Sequence, residues 1–243
     1  GKGKFGPLNL PDTGLQPVGT MQFPLAGIRQ ATKLELQVDV EGTDIRNRWD
    51  LWVFPTTCNA NTPANVKVVR TLDPATVREL RNGARVVLLP EGFKSDYPTA
   101  MTPPFWSPIM FTEPQITGFL CDPKHLAFRK FPTDSHSNWQ WYELLHHGYA
   151  TRLEGTPANY RPIVQGIDRP DRNHKLALIY ETRVGKGSLL VCTLDLNRDL
   201  DKCPVARQLR RSLLDYAASP EFHPATEIDL AKNVPTFSRE SDQ

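Results

Sequence analysis

Between residues 33 and 40 the apolar side chains Leu34, Leu36, Val38 and Val40 alternate with Lys33, Glu35, Gln37 and Asp39. A period of two sends the two sets to opposite faces, so the stretch reads as a β-strand with one wet face. "EGTD" then reads as a turn and "WDLWVF" as a second strand, paired antiparallel with the first. Residues 1–20, rich in Gly and Pro, read as an extended arm, and "PTTCNANTPAN" at 55–65 as a linker.

Beyond residue 65 the pattern changes. "VKVV" predicts a short strand. "LDPATVRELRNG" predicts a helix with Asp73 as N-cap, Pro74 in the first turn and Gly83 as the stop. "ARVVLLPEG" is an apolar run that fits a strand buried on both faces. Together these form a β–α–β unit, which implies a parallel pair. "ITGFLCD" predicts another central strand, and "PIVQGI" and "KLALIYETRV" two more. "VGKG" joins the last of these to "SLLVCTLDL" as an antiparallel hairpin with a four-residue loop. In "CPVARQLRRSLLDYAAS" the residues Val205, Leu209, Leu213 and Tyr216 form one helical stripe, with Arg211 and Asp215 as an i,i+4 pair outside it. The expected architecture is α/β, with a mostly parallel sheet and one antiparallel hairpin, preceded by a short β segment. The polar, Pro-containing residues 221–243 read as an extended tail.

Composition narrows the function classes. A formal charge of +2 over 243 residues shows no excess that would announce nucleic acid. No apolar run approaches a membrane span. Gly1–Phe5 does not read as a signal peptide, and the chain lacks an initiator Met, so it reads as processed or excised. Cys121 and Cys192 lie in apolar runs and read as buried thiols; a Cys58–Cys203 disulfide is left open. There is no CxxC pair, and no metal or cofactor is expected.

The densest cluster of chemistry-bearing residues is "FPTDSHSNWQWYELLHH" at 131–147. "SNWQ" fits a capping box, with Ser137 as N-cap and Gln140 returning to it. At about 100° per residue, Trp139, Tyr142, Leu145, Trp141 and Leu144 spread over an inward arc with His146 among them. Gln140, Glu143 and His147 take the outer remainder, so His136, His146 and His147 diverge and do not make a metal site. "GKGS" at 185–188 sits between two strands, where a phosphate loop needs a following helix, and reads as a hairpin turn. No nucleophile elbow is present. Asp122, Glu143, Glu181 and Asp195 are the carboxylates in apolar surroundings that a glycosidase pair would draw on. Asp122 and Asp195 end strands, the usual place for α/β sites. With His125 and His136 they form the catalytic candidate set.

"NRWDLWVFP", "GFLCDPKHLAFRKFPTDSHSNWQWYELLHH", "PIVQGIDRPDRNHKLALIYETRVGKGSLLVCTLDL" and "PVARQLRRSLLDYAAS" resemble the C-terminal region of glycoside hydrolase family 2-type proteins. These are β-galactosidase and β-glucuronidase relatives of the Bacteroidetes type. The resemblance runs from Leu15 to Ser219. It implies a flavodoxin-like or glutamine amidotransferase-like three-layer α/β module at 61–220, with residues 1–60 like the end of a β-sandwich. It also implies a periplasmic or extracellular address. That family's two catalytic glutamates lie on a (β/α)-barrel of about 250 residues, for which this chain has no room. The expected function is therefore a noncatalytic accessory module that packs against other domains, supports oligomerisation or bounds a sugar cleft. One alternative is an independent carbohydrate-binding module, with Trp49, Trp52, Trp106, Trp139 and Asp134 as sugar contacts. The other is a small hydrolase at the strand ends. The expected partners are carbohydrate or other domains or subunits of a glycoside hydrolase, with a homo-oligomer open and neither nucleic acid nor membrane involved.

Overall fold

A computed structural model describes residues 1–9, 11, 13–100 and 116–235. Two sheets form. The first is the expected hairpin of β1 (Thr32–Asp39) and β2 (Arg46–Val53), antiparallel with Leu34 opposite Leu51 and Leu36 opposite Trp49. Directly opposed residues share a face. One face therefore carries Leu34, Leu36, Trp49 and Leu51, and the other Lys33, Glu35, Asp50 and Trp52.

The second sheet has seven strands: β3 (Lys67–Val69), β4 (Arg85–Leu88), β5 (Gly118–Cys121), β6 (Thr151–Arg152), β7 (Val164–Ile167), β8 (Lys175–Val184) and β9 (Gly187–Cys192). Its order is β3-β4-β9-β8-β7-β5, with β6 beside β8. The β3–β4 and β4–β9 pairs are parallel, as the β–α–β reading requires. The β5–β7, β6–β8, β7–β8 and β8–β9 pairs are antiparallel. The sheet is thus mixed, which corrects the mostly parallel expectation. "ITGFLCD" is also corrected, from a central strand to the edge strand β5. An apolar run signals burial on both faces but carries no information on the direction of its neighbour.

Helices cover both faces. Helix α1 (Pro74–Arg81) starts where Thr76 N–H donates to Asp73 Oδ1 at 2.7 Å. It ends in a Schellman motif: Gly83 takes φ +110° and Ala84 N–H returns to Glu79 O. Its Val77 and Leu80 pack with Val86, Leu88, Leu189 and Val191 on one face of the sheet. On the other face, α2 (Tyr142–His146) and α3 (Pro204–Ala218) pack over Val87, Leu178, Leu190 and Cys192. The α3 stripe of Val205, Leu209, Leu213 and Tyr216 is buried as expected, and Arg211 Nε meets Asp215 Oδ2 at 2.7 Å.

A bulge in β8 changes which face its residues address. Val164 pairs with Ile179 but Gln165 with Ala177, so Leu178 is the extra residue. Leu178 and Ile179 therefore both join the α3-side core, and the alternation resumes in opposite phase.

Two local expectations are revised. The "VGKG" loop has two residues, because Val184 pairs with Gly187; Gly185 at φ +60° supplies the first turn position. The tail is part of the body as far as residue 235. Phe222 is fully buried, and Ile228 and Val234 join the α1-side core around the short helix α4 (Leu230–Asn233). Asn233 anchors that helix, donating to Glu154 O (3.0 Å) and accepting from Glu154 N–H (2.6 Å). All four cysteines are free, so the Cys58–Cys203 bridge is not formed.

Candidate functional site

Residues 131–141 run beside the outer edge of β5. Cys121 N–H donates to Ser135 O at 2.9 Å, and Leu120 forms a bridge with His136. Buried Trp141 and Gln140 pin the segment from inside: Trp141 Nε1–H donates to Thr133 Oγ1 at 2.8 Å and Gln140 Nε2–H to Pro132 O at 2.9 Å. Gln140 is therefore a core anchor, which corrects its outward placement and its capping-box role. The cap is Asn138, not Ser137, with Gln140 N–H donating to Asn138 Oδ1 at 3.0 Å. The first turn, Trp139–Trp141, is a 3₁₀ helix, so the α-helical projection goes out of phase. Trp139 consequently points out, 80% exposed, and His146 is exposed with it.

The outer side of this segment presents Asp134. Lys33 of β1 reaches it at 2.8 and 3.0 Å and also touches Asp50 of β2 at 2.9 Å. Asn138 Nδ2–H donates to Asp134 Oδ2 at 2.8 Å. Burial would push the Asp134 carboxyl up, but the bond and charge of Lys33, with the Asn138 amide, hold it below the ordinary carboxylate value. The Asp134 hydrogen bond correspondingly raises Lys33. The Lys33 ammonium lies 5.5 Å from the Trp52 ring centroid, and Trp52 Nε1 is buried without a hydrogen-bond partner among the described residues. Two carboxylates, an amide and an ammonium beside indole rings can hydrogen-bond hydroxyls and stack on an apolar face. Trp49 belongs to the opposite face of β2, so it does not join Trp52 in one platform. Trp106 lies outside the described residues.

The catalytic candidates do not converge. β5 runs antiparallel to β9 through the chain of β7 and β8, so Asp122 and Asp195 leave the sheet at opposite ends. Each forms a local turn: Asp122 Oδ1 accepts from Lys124 N–H, while Asp195 Oδ1 accepts from Asn197 and Arg198 N–H. His125 Nδ1 accepts from Ala127 N–H at 3.2 Å and its ring packs edge-on against Tyr216. Burial lowers its basicity. His136 is exposed, 3.5 Å from the Ser135 hydroxyl. Burial pushes the Cys121 thiol up to about 12, and its Sγ–H donates to Asp134 O. Among the described residues, no three His, Cys, Asp or Glu side chains are placed to hold a metal ion, and no helix is long and apolar enough to cross a membrane.

One cluster escaped the sequence reading. In the loop after β7, Arg172 Nε and Nη2 both donate to Asp168 Oδ1, at 3.0 and 2.6 Å. His174 Nδ1 lies 2.8 Å from the Tyr97 hydroxyl and 3.5 Å from Asp168 Oδ2. The Asp168 side chain is only 1% exposed, so this network locks the loop where β7 ends and β8 begins. The signal in the sequence was "DRPDRNH", with Asp168 and Arg172 four residues apart.

Residues 1–55 match a family described as "Domain of unknown function (DUF8488)". No curated protein matches the chain. Residues 67–237, from β3 through α4, match the family described as "Domain of unknown function (DUF8487)", and because that match spans more than half of the sequence, the protein belongs to the DUF8487 family.

Proposed function

We propose that this chain is an accessory module of a glycoside hydrolase family 2-like enzyme, holding its partner domains through the β1–β2 hairpin. The observation that carries the reading is the open apolar face of that hairpin. Trp49 is 46% and Leu51 49% exposed, although their strands alternate as if one face were meant to be covered. A two-stranded sheet is marginal alone, and apolar patches rimmed by charge are the usual marks of interaction surfaces. Lys33–Asp134 and the stacked rings of Phe54 and Phe131, 6.2 Å apart, attach the hairpin to the α/β body. That fixes the direction in which the open face points. In this reading the α/β body is a variant of the flavodoxin-like or amidotransferase-like layer, supported by its parallel β3–β4–β9 core with helices on both faces. A periplasmic or extracellular address is part of the same proposal.

The test is activity. The purified chain should show no turnover of nitrophenyl β-galactoside or β-glucuronide above buffer. An ordinary turnover number in this chain alone would end the proposal. Sugar contact at Asp134, Asn138 and Trp139 is a second reading, supported by the 80% exposure of Trp139 immediately after the capping Asn138. Calorimetry with neutral oligosaccharides on wild type and Trp139→Ala decides it: heat lost in the variant supports the contact, and equal heat or none removes it.

A further inference from the structure

Two cavities, of about 540 and 500 Å³, lie where the 55–63 linker crosses α3. Both are lined by Asn59, Arg129, Lys130 and Arg211, so they adjoin there as two compartments of one cationic groove. Arg29 adds a fourth cation at the second cavity, whose lining contains no carboxylate among the described residues. Asp215 is the lining carboxylate of the first. It is shared: Lys130 Nζ sits 2.6 Å and Arg211 Nε 2.7 Å from the same Oδ2. Arg129 is paired with Glu221 at 3.3 Å. Four cations against these two carboxylates leave two positive charges in the groove.

The walls hold the cations in place. Arg211 Nη1–H also donates to Asn59 O, fastening α3 to the linker. Gln208, 5% exposed, lines the second cavity and donates Nε2–H to Lys130 O at 2.6 Å. Its Oε1 is buried with no hydrogen-bond partner among the described residues. Asn61 and Thr62 add amide and hydroxyl groups along the first cavity.

We infer that this groove binds a phosphate monoester carried on a small polyhydroxylated molecule, of the sugar-phosphate class. The dianion matches the two uncompensated charges, and Arg forks suit phosphate oxygens. The volume exceeds what a bare phosphate fills and falls in the range of small-molecule sites. The asparagine, threonine and glutamine groups are suited to ligand hydroxyls. The groove goes beyond the accessory-module reading and does not rest on it.

The test is calorimetry on the full chain with glucose 6-phosphate, inorganic phosphate, inorganic sulfate and free glucose. Glucose 6-phosphate should bind, weaken as salt rises to roughly 0.5 M, and exceed inorganic phosphate by about tenfold. Arg211→Gln and Lys130→Gln should each weaken it by about tenfold or more. Arg211 also braces the linker, so exposed Arg29→Gln serves as the variant that keeps the fold, and its loss of affinity is read beside an unchanged melting midpoint. Equal binding of inorganic phosphate and the ester would overturn the polyol half of the inference. Equal binding of free glucose, no heat with any ligand, or full affinity in Arg29→Gln and Lys130→Gln would overturn the site.

Discussion

Gly187→Ala tests the packing of the hairpin tip in "GKGS". A Cβ at Gly187 would lie 3.0 Å from the Leu80 carbonyl carbon and closer still to the carbonyl oxygens of Leu80 and Ala84. Ordinary C···O approaches are about 3.3 Å or longer, so backbone must retreat by roughly 1 Å. Neither side yields freely. Leu80 is in the last turn of α1, and Ala84 O accepts from Ser188 N–H at 3.1 Å, next to the first β4–β9 pair, Arg85 with Ser188. Overpacking costs about 1–3 kcal/mol, and losing the Ser188 bond adds about 1 kcal/mol. The expected loss is therefore about 2–4 kcal/mol, or a melting midpoint lower by roughly 4–16 °C in a chain of this size. Circular dichroism melts and urea titration measure it. Gly83→Ala is the control. Its nearest new contact is Lys186 Cβ at 4.0 Å, so it meets only the strain of φ +110°. That strain should cost about 1 kcal/mol. A Gly187→Ala protein within about 0.5 kcal/mol of wild type, or less affected than Gly83→Ala, would refute the hairpin–α1 contact.

Trp141→Ala should cost about 3–5 kcal/mol in urea titration, because the fully buried ring packs against Phe119, Phe128 and Phe131 and its loss leaves a cavity. Burial raises Glu181 above its ordinary 4.5, although the Tyr216 hydroxyl donates to it at 2.8 Å. A carboxyl raised in the folded state contributes stability below its unfolded value and loses it as pH climbs through the folded value. Glu181→Gln should therefore flatten the decline in stability above about pH 4.5, seen in urea midpoints against pH; an unchanged slope would count against the buried charge. Lys33→Ala should lower stability by about 1 kcal/mol, since Lys33 is partly exposed and links Asp134 to Asp50. Cys121 and Cys192, both pushed up to about 12 by burial, should resist iodoacetamide in the native state. Mass spectrometry at about pH 8 reads this, and rapid labelling would contradict the burial of Cys192 and the raised thiol of half-buried Cys121.

Elements whose signal is local were legible in the sequence. Asp73, Pro74 and Gly83 bound α1 as their types require, the Val205–Tyr216 stripe faces the core, and the alternation in β1 holds for Leu34 and Leu36, while Val38 and Val40 are exposed. Direction and neighbourhood were not legible. β5 and β7 are runs that fit either orientation, and their antiparallel placement is set by the path of the whole chain. The 131–147 segment stands out in the sequence, yet its first turn is 3₁₀, so a projection at α-helical spacing misplaces it: Trp139, Tyr142 and His146 are exposed and Gln140 is buried. The cationic groove left no sequence signal at all. Arg29, the Arg129–Lys130 pair and Arg211 come from three distant parts of the chain and meet only when the linker crosses α3.

The extra residue at Leu178 makes β8 two half-strands in series. From Lys175 to Leu178 the odd and even positions serve one assignment of layers, and from Ile179 to Val184 they serve the reverse. A substitution rule written by position parity for one half is therefore inverted in the other: even-numbered residues face the α3 layer before the bulge and the α1 layer after it. Related chains that gain or lose one residue in this strand can do so at Leu178 by mending or making the bulge. Anywhere else in β8 the same change turns a row of buried side chains over to the other layer.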